Sequence, residues 1–215
     1  MSKILMTSAV ILTLASSQAF AESAATNNFY VGVDAGYAKV DTQASKTAQY
    51  LANLTGLTTS YTSDDGAFVG RIFAGSNINE NISAEIGYFR SSDLTNNYVQ
   101  ARGTANENFR GQGVDFSVLL RPSVSTGLNN LFARVGGHYS EVSGDASVTY
   151  VGNTYSLSAS GSSNKSGAGF LVGLGYDLPI DKNISARVGY TYMSDLGGVS
   201  GANLNLFSAG LKLDF

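Results

Sequence analysis

The chain of 215 residues has a formal net charge of −3, 13% charged residues and no cysteine. Without cysteine, disulfides, thiolate catalysis and cysteine-ligated metals are excluded, and the scattered basic residues lack the clustered face that nucleic-acid binding requires. The 12 tyrosines and 11 phenylalanines favour β-strands, and the chain also has 25 glycines and only 2 prolines.

The N-terminus has the features of a cleaved secretory signal peptide. Lys3 supplies the positive charge, residues 4–14 form an uncharged apolar run, and a small-x-small cleavage site ends at Ala21. The apolar run is too short for a membrane anchor. We therefore expect a signal peptide over residues 1–21 and one mature domain over residues 22–215.

Eight segments of the mature chain alternate apolar or aromatic residues with glycine, hydroxyl or charged residues. Five of them have nine residues and three have seven, against the 9 to 11 residues that a tilted transmembrane strand needs, and no mature segment approaches the length of a transmembrane helix. In chain order the segments are 29–37, 68–74, 82–88, 114–120, 131–139, 168–176, 184–192 and 207–215. The pattern predicts an all-β fold, an eight-stranded antiparallel up-and-down transmembrane β-barrel.

The connections between these segments alternate in length. The short ones, at 77–81, 122–130 and 179–183, contain Asn, Gly and Pro. Four longer stretches are rich in Ser, Thr, Asn and Gly, at 41–65, 91–112, 143–166 and 193–203. This asymmetry is typical of outer-membrane barrels, with tight periplasmic turns and longer external loops.

Charged residues on the polar strand face would point into the barrel lumen. They are Asp34, Arg71, Glu85, Asp115, Arg121, Arg134, His138, Arg187 and Lys212. Because an unpaired buried charge is costly, mixed signs in a narrow interior favour ion pairs. We interpret the set as a structural charge network in a lumen filled by side chains, with a small porin-like channel as the alternative.

Aromatic residues recur at matching strand ends. If the first strand runs outward, Tyr37, Tyr88, Tyr139 and Tyr190 all lie at the outer ends of their strands. Such a row predicts an aromatic girdle at the membrane–water interface.

Two segments resemble a known family. Residues 70–75 (GRIFAG), followed by Asn79 and by residues 84–88 (AEIGY), resemble the second hairpin of OmpA-type and opacity-type outer-membrane barrels. The ending resembles the C-terminal β-signal that the barrel assembly machinery reads, in Phe207, Ala209, Leu211, Leu213 and Phe215. The resemblance implies insertion into the bacterial outer membrane, with its lipid and that machinery as partners. A peptidoglycan-binding domain, and hence a cell-wall tether, is not expected.

One enzymatic alternative comes from the single histidine. His138-Tyr139-Ser140 resembles the His-x-Ser element of outer-membrane lipid A deacylases, which are also eight-stranded barrels. However, Glu141 stands where that family has Asn, and the alternation points His138 to the lumen, whereas the family's triad faces lipid. A deacylase-like enzyme is therefore the less favoured alternative.

The expected function is non-enzymatic. No zinc motif, phosphate loop or nucleotide fingerprint occurs, so we expect no catalytic residue, no metal and no cofactor. Polar loops on a rigid barrel are typical of binding surfaces, which predicts a structural or adhesion role with a host or envelope surface partner and no nucleic acid.

Overall fold

The computed structural model describes residues 29–40, 44–64, 66–122, 128, 130–151 and 156–215. The predicted signal peptide, residues 1–21, lies outside this part of the chain. None of the described helices is long and apolar enough to cross a membrane.

The described chain consists mostly of antiparallel strands, with one helix, α1 (Ala44–Thr55), and a short 3-10 turn at Leu196–Gly198. The strands are β1 (Phe29–Val40), β2 (Ser60–Ser63), β3 (Gly66–Asn77), β4 (Ile82–Ser91), β5 (Leu94–Gln100), β6 (Gly103–Leu120), β7 (Leu131–Val151), β8 (Ser156–Pro179), β9 (Ile184–Met193) and β10 (Leu204–Asp214).

Eight of these strands form a closed ring. Its order is β1, β3, β4, β6, β7, β8, β9 and β10, and β10 pairs back with β1. Closure is complete because β6 pairs with both β4 and β7, and a closed ring leaves no unpaired backbone edge within lipid. The predicted eight-stranded antiparallel barrel is confirmed.

The two strand faces carry the polarity of a membrane barrel. Ile72 on the outer face is 60% exposed, whereas its neighbour Arg71 is only 3% exposed and points inward. This is the inverse of a water-soluble fold, where a large apolar side chain is buried and a guanidinium exposed. The outer band of Val, Ile, Leu and Phe side chains is therefore the surface that lipid covers.

Three strands are much longer than the segments predicted from alternation. β6 has 18 residues, β7 has 21 and β8 has 24, so the presumed loops 91–112 and 143–166 are largely strand. β5 pairs with the first half of β6, and β2 pairs with β5. We call β2, β5 and the parts of β6, β7 and β8 beyond the ring the extension, which projects from the end opposite the start of β1 and the end of β10.

Helix α1 was not anticipated in the presumed loop 41–65. It packs Ala44 and Ala48 against Tyr98 of β5, beside Leu51 and Ala105. Ala105 has the same strand parity as the inward-facing residues of β6, so α1 covers the inner side of the extension.

Candidate functional site

The lumen is filled at mid-height by an ion-pair network centred on Arg71. Its Nε and Nη2 atoms donate to the two carboxylate oxygens of Asp115 at 2.9 and 2.8 Å. Nη2 also reaches Glu85 at 3.2 Å, and Nη1 reaches Asp34 at 3.4 Å. β1, β3, β4 and β6 contribute these groups, so the network ties together half of the ring.

A second guanidinium continues the network towards the periplasmic end. Arg187 on β9 donates to Glu85 and holds Asp177 through Nε and Nη2 at 2.7 and 3.1 Å. Asp177 also accepts from Arg121, which lies just after β6, at 3.1 Å. Arg134 on β7 donates to Asp115 and so links the two halves.

Acids and bases balance within the network, and this balance is what makes its burial tolerable. The bases are Arg71, Arg121, Arg134, Arg187 and Lys212, and the acids are Asp34, Glu85, Asp115, Asp177 and Asp214. Each base has at least one carboxylate within salt-bridge distance. The five bases and three of the acids, Asp34, Glu85 and Asp115, are among the residues predicted for the lumen.

Inward-facing aromatic rings fill the space around these charges. The Arg187 guanidinium carbon lies 4.8 Å from the ring centroids of both Phe73 and Phe132. The Tyr30 hydroxyl donates to Glu85 at 3.1 Å, and the centroid of the Tyr30 ring lies 5.0 Å from the Lys212 ammonium nitrogen. Cations over aromatic faces gain further stabilisation when they are desolvated.

Little free volume remains between these side chains. One cavity of about 20 Å³ is lined by Asp34, Arg71, Arg134, Arg187 and Phe132, among others. This volume is about that of a single water molecule.

An apolar plug closes the lumen above the charges, at the extracellular end. Its buried residues are Ala38, Val69, Phe89, Leu171, Met193, Leu196, Leu204 and Leu206. Leu196 comes from the connection between β9 and β10, which therefore folds inward over the barrel mouth rather than outward. Hydrophobic packing above the ion pairs seals the interior from external water.

His138 and Ser140 hold that connection in place. The His138 Nε2 atom lies 2.8 Å from the Ser194 carbonyl oxygen, and the Ser140 hydroxyl accepts from the Gly197 N–H at 2.9 Å. Both side chains are buried inside the barrel. The His-x-Ser element that resembled a deacylase therefore contacts protein backbone on the lumen side, away from lipid.

The predicted lumen residues all lie inside the barrel, although Arg121 and Lys212 sit near the periplasmic end. Reading the sequence missed Asp177, which shares the inward parity of Gly173 and Gly175 on β8. It also missed the inward aromatics Tyr30, Phe73, Phe89 and Phe132. Each of these aromatic residues lies an even number of positions from an inward-facing charged residue on its strand. They were missed because an apolar residue judged by its type alone is assigned to the lipid face.

Three of the four predicted girdle tyrosines have polar side-chain partners near the outer ends of their strands, and the fourth, Tyr37, packs against another ring. Tyr88 donates to Gln112 at 3.2 Å, and Tyr139 donates to Ser166 at 3.1 Å. Tyr190 donates to Asn205 at 2.7 Å, and the Tyr37 ring packs edge-on against Phe68. An apolar ring with a wet hydroxyl suits the membrane–water interface.

The five residues of the predicted β-signal all lie on β10 or directly after it and face outward. Phe207 and Phe215 are among the most exposed large apolar side chains. Their neighbours across the strand pair are on β1, where Tyr37 lies opposite Phe207. The segment thus forms one side of the barrel's closing seam.

The extension carries its own polar interactions above the membrane. The Tyr98 hydroxyl donates to Glu107 at 2.9 Å beneath α1, and burial together with this carboxylate raises the pKa of Tyr98 to about 12. On the outside, Arg110 donates to Asp93 at 2.6 Å, and that hydrogen bond lowers the pKa of the Asp93 carboxyl.

The outer side of the extension also forms a polar cleft. It has a volume of about 390 Å³ and is lined by side chains from β6, β7 and β8, which include Asn106, Asn108, Asp145, Ser147, Ser160 and Ser162. Among the described residues, no group of His, Cys, Asp or Glu side chains could hold a metal ion. The cleft therefore offers hydrogen-bonding groups and the single carboxylate of Asp145.

Comparisons with known proteins found a matching family model and several similar solved structures. A family model described as the OmpA-like transmembrane domain matches residues 24–212. The chain is similar to Ail, the attachment invasion locus protein of Yersinia pestis, at 12% identity and a TM-score of 0.46 over 87% of this chain and 99% of that one.

Two further solved structures have the same kind of similarity. Neisserial surface protein A is 20% identical, with a TM-score of 0.40 over 90% of this chain and 100% of that one. OprG from Pseudomonas aeruginosa is 8% identical, with a TM-score of 0.40 over 87% of this chain and 96% of that one. No curated protein matches the chain.

Proposed function

The chain belongs to the family of OmpA-like transmembrane domains and is an outer-membrane β-barrel, and from this premise we propose that it is a non-conducting, non-enzymatic surface protein that acts through its extension. In this function the barrel is an anchor of fixed geometry. The extension is the part that contacts host or envelope surfaces.

The closed interior is the observation that carries the first half of the proposal. A hydrated ion would have to displace the apolar plug and break the ion pairs of Arg71 and Arg187. Each of these steps exposes a buried charge or creates a void, which is costly. A resting pore through this lumen is therefore disfavoured.

The extension supports the second half. Strands continue well beyond the tyrosines at the interface, and α1 rigidifies their inner side. A structured surface of this kind costs less entropy on binding than a flexible loop would. Its outer side offers the polar cleft and many Ser and Asn side chains as hydrogen-bonding groups.

Conductance in planar bilayers tests the closed lumen. Refolded protein should give no ion-selective steps. As a positive control, a porin of known conductance in the same bilayers should give steps. A variant in which residues 195–202 are replaced by a short Gly-Ser linker removes Leu196 from the plug but keeps the ion pairs of Arg71 and Arg187, so it should also give no steps. Steady conductance by the unaltered protein would refute the closed interior.

Adhesion of bacteria that express the protein tests the extension. The register pairs Gly144 with Ser163, so replacing residues 145–162 by Asn-Gly shortens the hairpin without shifting its register. This variant should remain folded and lose adhesion to epithelial cells. A matched control, Asp181→Asn with Lys182→Gly, alters only a periplasmic turn and should adhere normally. Equal adhesion by the shortened protein would refute the role of the extension.

A further inference from the structure

The upper part of β8 has one side without a strand partner. β7 pairs with β8 over its whole length, but β9 pairs only with Leu171–Pro179. Among the described residues, no other strand pairs with residues 158–166 on that side. At about 3.4 Å per residue, this free edge is roughly 30 Å long and lies outside the lipid.

The direction of the free backbone N–H and C=O groups follows from the hydrogen bonds at Phe170, where β8 begins to pair with the β9 side of the barrel. The Ser194 N–H donates to the Phe170 carbonyl oxygen at 3.0 Å, on the β9 side of β8. Because backbone groups alternate in direction along a strand, even-numbered residues turn their N–H and C=O to the same side. Above the membrane these residues are Ser158, Ser160, Ser162, Asn164 and Ser166.

This edge has few of the features that normally prevent strands from pairing. Residues 158–166 contain no proline and a single charge, Lys165. The register with β7 runs without interruption, so no bulge twists the edge away. Proteins usually protect long edges with charges, prolines, bulges or a cover, and an unprotected edge is a template for another strand.

We propose that this edge pairs with the same edge of a second copy of the chain, antiparallel about a two-fold axis at Ser162. This inference rests on the surface function proposed above. It names one surface that the extension contacts, which is a second copy of the chain. The pairing places Ser158 opposite Ser166 and Ser160 opposite Asn164, pairs whose side chains can exchange hydrogen bonds.

Self-pairing in this register avoids contact between like charges. Lys165 of one copy lies opposite Ala159 of the other, so no like charges meet across the junction. The side chains along the edge are small and polar, and the cleft that Ser160 and Ser162 help to line has no apolar pocket for a larger side chain, whereas peptide-binding edges gain specificity from pockets for alternate side chains. A matching copy is therefore the partner that the edge fits best.

The symmetry of the pairing determines where the second copy lies. Two antiparallel strands joined edge to edge are related by an axis perpendicular to their sheet. For β8 this direction is the radius of the barrel, which lies in the plane of the membrane. Rotation about such an axis turns the second copy upside down, so it must be anchored in an opposing membrane. The junction would hold two bacterial surfaces together.

Vesicle clustering tests this pairing. Protein is reconstituted with the extension outward into two vesicle populations that carry different dyes, and two-colour clusters are counted. Wild-type vesicles should cluster. Ser162→Pro removes a donor that β7 does not use and blocks the edge, so clustering should fall about tenfold or more while heat-modifiable migration remains normal. Ser162→Ala, the matched control, keeps the N–H and should cluster like wild type.

Charge reversal provides a second, independent measurement. Ser162→Lys and Ser162→Asp each place like charges opposite each other at the axis, so vesicles with either variant alone should not cluster. Mixing the two populations should restore clustering. Because the chain has no cysteine, Ser162→Cys should form a disulfide across the junction only between copies, at the ~5.5 Å Cα separation of such pairs.

The outcomes separate this pairing from the broader function. Wild-type vesicles that fail to cluster, Ser162→Pro vesicles that cluster normally, or Ser162→Cys disulfides confined to one vesicle population would each overturn it. If vesicles do not cluster but still bind epithelial cells through the extension, the pairing fails and the surface function stands. If they do neither, both are refuted.

Discussion

Replacing Glu85 with Gln should strongly destabilise the barrel, because Glu85 is shared by two buried guanidinium groups. It accepts from Arg187, from Arg71 at 3.2 Å and from the Tyr30 hydroxyl at 3.1 Å, and it is 1% exposed. Glutamine has nearly the same shape, so the change removes charge rather than volume. It leaves the network with one more base than acid.

The expected loss follows from that imbalance. Removing one partner of a buried ion pair typically costs about 3–5 kcal/mol, since the remaining charge is uncompensated. Arg187 keeps Asp177 and Arg71 keeps Asp115, so we expect a loss near the lower end, about 3 kcal/mol. The matched control is Asp93→Asn at the exposed pair with Arg110, which should have no detectable effect.

The assay is urea unfolding of the barrel in lipid vesicles, with the folded fraction measured by heat-modifiable gel migration. The double variant Glu85→Gln, Arg187→Gln completes a cycle, and its loss should be about 0.5–3 kcal/mol smaller than the sum of the single losses. If Glu85→Gln proves as stable as Asp93→Asn, the ion pairs would not contribute to barrel stability, and the reasoning from burial would be refuted.

Three further predictions test other parts of the molecule. Gly169→Val would make a side chain overlap the Ser194 carbonyl and so release the connection over the barrel mouth, which should then be cut by proteinase K, whereas the wild type resists. Burial and Glu107 stabilise Tyr98 as a neutral phenol, so its contribution to the stability of the extension should be intact below the usual pKa of ~10 and lost as pH rises towards about 12. Protease sensitivity of α1 should rise over this pH range in the wild type and less so in Tyr98→Phe. Ile86→Arg puts a charge on the lipid face and should cost about 2–4 kcal/mol in urea unfolding; an unchanged midpoint would mean that this face is in water.

The ring of the barrel was predictable because the membrane imposes a period of two. Where one face of a strand meets lipid and the other meets a polar interior, the polarity of a residue indicates which face its side chain lies on. Ile72 and Arg71 are adjacent and point to opposite sides, as the alternation required. The short turns, which carry both prolines, fixed which end of the barrel is periplasmic, so the strand directions followed.

The interior was only partly predictable because polarity is an incomplete guide to direction. Tyr30, Phe73 and Phe132 are aromatic yet inward-facing, since they pack against the guanidinium of Arg187. Asp177 was missed although it continues the inward parity of β8. Residues an even number of positions apart on a strand share a face. Counting in this way from an inward-facing residue on each strand identifies all four residues, whereas the polarity of each residue alone does not.

The extension escaped prediction for a physical reason that also bears on its role. Above the membrane both faces of a strand meet water, so the alternation that identifies strands disappears, and residues 143–166 resemble a polar loop. The pairing register of β7 and β8 nevertheless continues unbroken from the ring into the extension. The membrane-spanning part thus acts as a template that fixes the twist and the direction of strands whose own sequence specifies them weakly. Helix α1 is the exception, since Ala44, Ala48 and Leu51 have the spacing of one helix face. The helix packs on the inner side of the extension and leaves the outer side open.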